Sequence, residues 1–105
     1  MKEKFLPIGT VVLLKEGTKK VMITSFMIFT SGENGEEKKM FDYGACPFPE
    51  GIIDSSYAVG FNHDQIDQIV HLGLVDEDEV HFNTLLLQSQ DEIHKKFEEE
   101  FNVGE

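Results

Sequence analysis

Residues 11–29 read VVLLKEGTKKVMITSFMIF, and this stretch decides the fold. Its first four residues are aliphatic and rich in β-branched side chains, and the next four, Lys15–Thr18, favour a turn. A second apolar run begins at Val21 and continues to Phe29. Two apolar runs joined by a short polar turn are typical of a β-hairpin. The sequence therefore predicts two antiparallel strands at the start of a sheet.

Three further strands are predicted after this hairpin. The Asn34-Gly35 pair tolerates positive φ and supports a tight reversal, so residues 38–43 should return antiparallel beside the second strand. Residues 57–61 form a short strand, and residues 69–72 form the last one, after a short helical turn capped by Asn62.

The segment between the third and fourth strands is predicted to be a loop. Residues 44–54 contain two prolines and two glycines, which remove hydrogen-bond donors from a sheet and weaken strands. Phe48 and Ile52 are the side chains expected to hold this loop against the core.

A long amphipathic helix is predicted after Gly73. The acidic run Asp76–Glu79 suits a helix amino terminus, where backbone amides leave a partial positive charge. Asn83 and Thr84 are weak helix formers, so a break near them is an alternative. The apolar residues that follow recur at helical spacing and share one stripe, which consists of Phe82, Leu85, Leu86, Ile93, Phe97 and Phe101.

These elements predict an α+β fold: a small, strongly bent antiparallel sheet, with closure into an SH3-like barrel as an alternative, and a carboxyl-terminal amphipathic helix. The length of 105 residues suits one hydrophobic core. Residues 1–75 should form the β-rich core, and residues 76–105 the helix that packs on the same single domain.

The charge of the chain excludes several classes of partner. The formal net charge is −11, and all nine basic residues are lysine. Residues 1–39 carry seven lysines and five acids, whereas residues 40–105 carry two lysines and fifteen acids. Nucleic acids and anionic membranes repel such a protein, so neither is an expected partner. Cys46 is the only cysteine, which rules out an internal disulfide and fits a reducing cytoplasm.

No motif in the sequence selects an enzyme, a metal or a cofactor. His63, Asp64 and Asp67 lack the spacing of a zinc helix, and they are better explained as capping residues. Cys46 lies between Ala45 and Pro47 without a nucleophile signature, which favours a buried structural thiol. Gly32 and Gly35 lack the lysine of a phosphate-binding loop. We therefore expect no catalytic, cofactor-binding or metal-binding residues.

The distal part of the predicted helix is the candidate partner-binding surface. Its apolar stripe extends further than one small core needs, and an acidic run lies beside it. One interpretation is that the whole helix packs on the sheet. The other is that the distal part docks on a lysine-rich helical partner. The residues concerned are Ile93, Phe97, Glu98, Glu99, Glu100 and Phe101.

Several segments together resemble one family, known as domain of unknown function 4176, over about residues 5–80. The segments are LPIGTVVLLK at 6–15, KKVMI at 19–23, DY at 42–43, FPEG at 48–51, FNHDQID at 61–67, LG at 72–73 and DEDE at 76–79. Members of this family are encoded beside LXG polymorphic toxins in Gram-positive bacteria.

The resemblance implies a non-catalytic cytoplasmic chaperone or adaptor. Such a protein would bind its cognate LXG-domain toxin, together with small WXG-like helical proteins, before export by the type VII (Esx) secretion pathway. The shared residues look structural, and none is carried over as a catalytic or ligand residue. The alternatives are an immunity protein that neutralises a toxin, for which an acidic surface is also suited, and a general protein-binding module.

Overall fold

The computed structural model describes residues 5–30, 39–54 and 58–101. It contains one sheet, one long helix and a short 3-10 turn at His63–Gln65. The strands are β1 (Val11–Leu14), β2 (Lys20–Thr30), β3 (Lys39–Pro47), β4 (Val59–Phe61) and β5 (Ile66–His71), and the helix is α1 (Glu77–Phe101).

The sheet has the strand order β4-β3-β2-β1-β5, and each neighbouring pair is antiparallel. The predicted α+β class with a small antiparallel sheet is therefore confirmed. The alternative of a closed SH3-like barrel is wrong for the described residues, because β4 and β5 lie at opposite edges and do not pair.

The predicted hairpin is formed by β1 and β2. Val11 lies opposite Met22 and Leu13 lies opposite Lys20. The turn between them places Glu16 at a φ of 64°, and the Gly17 N–H donates to the Leu14 carbonyl at 2.9 Å. β3 returns beside β2 as expected, with Phe26 opposite Tyr43.

The longest strand, β2, is irregular at two points. Its register with β3 shifts between Ile23 and Ser25, and Met27 has a φ of 52°. A residue in the left-handed region inside a strand, together with a bulge, bends the strand and increases its twist. Gly44 lies opposite this bend, where a Cβ would come within 2.3 Å of the Ser25 hydroxyl oxygen. A larger residue at position 44 would require the Ser25 hydroxyl to turn away and would crowd the Ile28 side chain.

The expected loop at residues 44–54 begins later than the sequence indicates. Residues 44–47 belong to β3, where Ala45 pairs with Ile23 and Pro47 pairs with Val21. Pro47 is the last residue of the strand, where a missing N–H donor is tolerated. Ile52 does not hold the remaining loop against the core, since 66% of its surface is exposed.

An aromatic cluster forms the centre of the core. The Tyr43 ring lies 5.8 Å from Phe5, 6.1 Å from Phe26 and 5.3 Å from Phe61, measured between centroids. Edge and tilted contacts of this kind stabilise aromatic pairs beyond the area that they bury. The buried core consists of Phe5, Leu6, Val12, Val21, Ile23, Met27, Tyr43, Ala45, Phe61 and Leu86.

The helix α1 runs without a break through Asn83 and Thr84. Both side chains have partners that offset their weak helix propensity. Asn83 bonds to the backbone of Phe5, and the Thr84 hydroxyl donates to the Val80 carbonyl at 3.0 Å. Leu86, one turn further on, is buried in the core. Tertiary contacts thus override the local propensity, and the alternative of a broken helix is wrong.

A candidate protein-binding groove

The connection between β5 and α1 is held against the segment before β1. The Gly73 N–H donates to the Thr10 hydroxyl at 3.0 Å. A Cβ on Gly73 would lie 2.2 Å from the Ile8 carbonyl oxygen, so only glycine allows this approach. The residues that follow are exposed: 73% of the Leu74 surface and 45% of the Val75 surface are accessible. A close backbone contact therefore fixes a pair of exposed apolar residues in front of the helix.

The acidic run forms the first turn of α1, as its sequence predicts. The Asp76 carboxylate accepts a hydrogen bond from the Glu79 N–H at 2.9 Å, which caps the helix. Glu77, Asp78 and Glu79 then lie in the first turn, where the helix dipole stabilises negative charge. The fold thus concentrates four carboxylates at this end of the helix.

Two further side chains of α1, Asn83 and Phe82, contact the core beside the buried Leu86. Asn83 is only 7% exposed; its Oδ1 accepts from the Phe5 N–H at 3.1 Å, and its Nδ2 donates to the Phe5 carbonyl. The same Nδ2 donates to Glu79 Oε2 at 3.0 Å. Phe82 packs its ring 5.9 Å from that of Phe26, yet half of Phe82 remains accessible.

A groove of about 380 Å³ lies between the start of α1 and the core, and we call it the α1 groove. Its lining has two parts, apolar side chains and the carboxylates of the helix start. The lining residues are Ile8, Phe26, Leu74, Asp76, Asp78, Glu79, Phe82, Asn83 and Leu86. An accessible aromatic ring beside aliphatic residues is characteristic of the centre of protein–protein interfaces.

The α1 groove was not singled out by the sequence. Phe82 and Leu86 were assigned together to a core stripe, but only Leu86 is buried. Ile8 and Leu74 lie outside the helix, and their exposure follows from the close contact at Gly73. The one available signal was the apolar pair Leu74-Val75 immediately before the acidic run.

The residues predicted to bind a partner lie on the last turns of α1. The side chains of these six residues fall outside the described part of the structure, so their role stays a prediction. They are Ile93, Phe97, Glu98, Glu99, Glu100 and Phe101.

The cluster around Tyr43 has the side chains of a catalytic site but the environment of a core. The Tyr43 hydroxyl accepts from the Leu6 N–H at 2.9 Å and lies 2.8 Å from His63 Nδ1. The Asp42 carboxylate accepts from the His63 backbone N–H at 2.8 Å. Burial, opposed in part by the Leu6 hydrogen bond and assisted by the Asp42 charge, raises the pKa of Tyr43 to about 12. The phenol is therefore neutral at physiological pH, and its contacts join β3 to the 3-10 turn.

Among residues 5–30, 39–54 and 58–101, no three His, Cys, Asp or Glu side chains lie close enough together to hold a metal ion. Cys46 is buried in β3 opposite Met22. Over the same described ranges, no helix has both the length and the apolar character needed to cross a bilayer.

The described residues form a small α+β protein with an open antiparallel sheet and one long helix. A groove lined by apolar side chains and by carboxylates lies where the sheet and the helix meet. The model of one family, described as "Domain of unknown function (DUF4176)", matches residues 5–82, and the chain belongs to this family. No curated protein and no solved structure matches the chain. The matched region includes every lining residue of the α1 groove except Asn83 and Leu86.

Proposed function

We propose that this protein is a non-catalytic cytoplasmic chaperone or adaptor that binds a cognate LXG-type toxin before its export by type VII secretion. The observation that carries the binding role is the α1 groove, in which an accessible phenylalanine and leucine lie beside carboxylates that form no ion pair among the described residues. Apolar surface costs free energy when it faces water, and its clustering in one place is typical of a docking surface.

The toxin class is proposed from the family. The segments that resemble the family, such as residues 6–15 and 61–67, belong to proteins encoded beside LXG toxins. The WXG-like partners that the resemblance implies are helical, and a helix presents the regular apolar stripe that a groove accepts. The expected complex therefore contains the LXG domain and small WXG-like helical proteins.

Co-purification tests the proposal. The protein is co-expressed with the amino-terminal LXG domain of the toxin encoded nearest to its gene, with and without the neighbouring WXG-like proteins. We expect one complex of fixed stoichiometry by size-exclusion chromatography with light scattering. A folded protein that elutes alone in every combination would contradict the proposal.

An immunity role is the second candidate, favoured by the absence of any lysine or arginine between residues 40 and 94. A strongly acidic surface suits the blocking of a cationic active site. Co-expression with the carboxyl-terminal toxic domain separates the two roles. An immunity protein binds that domain and restores growth, whereas the proposed chaperone binds only the LXG domain and leaves toxicity unchanged.

A further inference from the structure

We infer that the α1 groove takes an amphipathic helix of the partner, with lysine or arginine side chains flanking its apolar stripe. The inference rests on the proposed function and deepens it, because it assigns the binding face and the chemistry of the segment bound. The partner's primary contact then lies on the first turns of α1 and not on the distal part of the helix.

The apolar lining is suited to side-chain packing from a helix. Phe82 is half exposed, whereas Leu86, one turn further along α1, is buried and contributes only to the base of the groove. The apolar stripe of a partner helix can pack its side chains against an exposed ring of this kind. Leu74 and Ile8, which are 73% and 49% exposed, extend the apolar surface beyond α1.

Strand addition is disfavoured at this site. The lining residues come from the segment before β1, the central strand β2, the connection after β5, and α1. None belongs to the edge strands β4 or β5, whose free backbone groups would be needed to pair with a peptide strand. The α1 groove thus offers side chains and no unpaired strand edge.

The carboxylates that line the α1 groove determine which charged residues the partner helix should carry beside its apolar stripe. One carboxylate oxygen of Asp76 accepts from the Glu79 N–H. One carboxylate oxygen of Glu79 accepts from Asn83 Nδ2. Asp78 makes no hydrogen bond or ion pair within the described residues. Because residues 40–94 contain no lysine or arginine, the chain supplies no cation of its own from that region. Cationic residues on the partner would neutralise these carboxylates and steer its approach.

A pair of matched variants tests the apolar contact. Leu74→Glu and Ile52→Glu make the same chemical change at residues that are 73% and 66% exposed, but only Leu74 lines the α1 groove. Affinity for the LXG domain is measured by calorimetry after circular dichroism confirms folding. We expect Leu74→Glu to weaken binding roughly tenfold or more and Ile52→Glu to change it by less than about twofold. Equal effects of the two changes would overturn the inference.

A second pair tests the charge. Asp78→Asn and Asp64→Asn each remove one exposed carboxylate and alter the net charge equally, but Asp64 lies on the 3-10 turn. We expect Asp78→Asn to weaken binding by about threefold or more at low salt and Asp64→Asn to leave it nearly unchanged. The same loss for both variants would indicate only a general effect of net charge, and would contradict a cationic helix in the groove.

A peptide experiment separates this inference from the proposed function. Two synthetic amphipathic helices share a leucine stripe, and their polar faces carry either lysine or glutamate. Each is titrated into the ¹⁵N-labelled protein. We expect the lysine peptide to shift the amide signals of residues 74–86 and the glutamate peptide to leave them unchanged. Shifts elsewhere, or none, would overturn the inference.

Failure of the proposed function and failure of the groove assignment would give different results. If the LXG domain does not bind but the lysine peptide binds at residues 74–86, the proposed function is wrong and the groove assignment stands. If the LXG domain binds equally to the wild type and to Leu74→Glu, the proposed function stands and the groove assignment is wrong. A wild-type dimer that Leu74→Glu converts to a monomer would identify a second copy of the chain as the occupant, and would also overturn the inference.

Discussion

At the scale of single residues, Asn83 links the two ends of the domain. Its amide satisfies both the N–H and the carbonyl of Phe5, which is fully buried. Buried backbone groups without partners cost considerable free energy, so an amide that serves two of them at once stabilises the docked helix strongly. A hydrophobic residue of the same size would remove both of these hydrogen bonds.

Asn83→Ala is expected to lower the free energy of unfolding by about 2–4 kcal/mol, because two buried backbone groups of Phe5 lose their partners. Urea denaturation followed by circular dichroism measures the change. Thr84→Ala is the control, since Thr84 is exposed, is the next residue of the same helix and bonds only within it. A loss of the same size for Thr84→Ala would mean that helix propensity, and not the Phe5 contact, governs the result.

The second prediction at this scale concerns the Tyr43 phenol, whose pKa of about 12 exceeds the ordinary value of 10.0. Between these pH values the unfolded chain releases the proton and the folded protein retains it. The contribution of Tyr43 to stability is therefore complete below pH 10 and falls by about 1.4 kcal/mol per pH unit up to the folded pKa.

Tyr43→Phe should remove this dependence, although it also costs stability at neutral pH because the Leu6 N–H loses its acceptor. Urea midpoints near pH 9 and near pH 11 measure the slope for both proteins. The difference in absorbance at 295 nm between wild type and variant, followed with pH, gives the Tyr43 titration directly. An ordinary pKa in that difference curve would contradict the buried environment.

At the scale of elements, local sequence patterns predicted the strands and the helix but not all of their ends. The hairpin β1–β2 was evident from two apolar runs and a turn. The end of β3 was not, because the glycine and the proline of residues 44–47 favour a loop when they are considered alone. In the folded protein Gly44 lies close to the Ser25 side chain, and Pro47 is the last residue of the strand, where a missing N–H donor is tolerated.

The candidate site was predictable only in part. The acidic start of α1 follows from the sequence, because carboxylates and a capping Asp76 belong at a helix amino terminus. The exposure of Leu74 and Phe82 does not follow from the sequence. It depends on how the Gly73 contact and the Asn83 hydrogen bonds position the helix against the sheet. Periodicity identifies an apolar stripe, but only tertiary packing determines which of its residues stay accessible.

The element-scale prediction concerns the connection from β5 to α1. Gly73→Ala should lower the free energy of unfolding by about 1–3 kcal/mol, because the new methyl group would overlap the Ile8 carbonyl and force the backbones apart. Thermal and urea unfolding measure the loss. Gly17→Ala is the matched control, since its nearest contact would be 3.2 Å from the Leu14 carbonyl oxygen. Similar losses for both variants would refute the special role of Gly73.

At the scale of the whole molecule, the described core contacts of α1 lie in its first half. Phe82, Asn83 and Leu86 join the helix to the sheet or to the amino-terminal segment. The distal part, which carries Ile93 and Phe97, was predicted from the sequence to reach a partner. Truncation of the distal part therefore tests its role separately from that of the described core contacts.

Deletion of residues 89–105 is expected to leave a protein that unfolds cooperatively, because the described core side chains of α1 are retained. Binding to the LXG domain should weaken if Ile93, Phe97 and Phe101 extend the contact made at the α1 groove. Denaturation and calorimetry on the same preparation measure both effects. Loss of cooperative unfolding would show that the distal helix belongs to the core, and undiminished affinity would remove it from the binding surface.

The hydrogen bonds between Asn83 and Phe5 also bear on how the protein matures during its synthesis. They join residues that are 78 positions apart, so the core cannot be completed until the ribosome has released nearly the whole domain. Until then Phe5 and its aromatic neighbours lack the helix that covers them, and the nascent chain exposes hydrophobic surface that is prone to aggregation. Any partner present during translation therefore meets an incomplete domain first, and the α1 groove forms only once α1 has docked on the core.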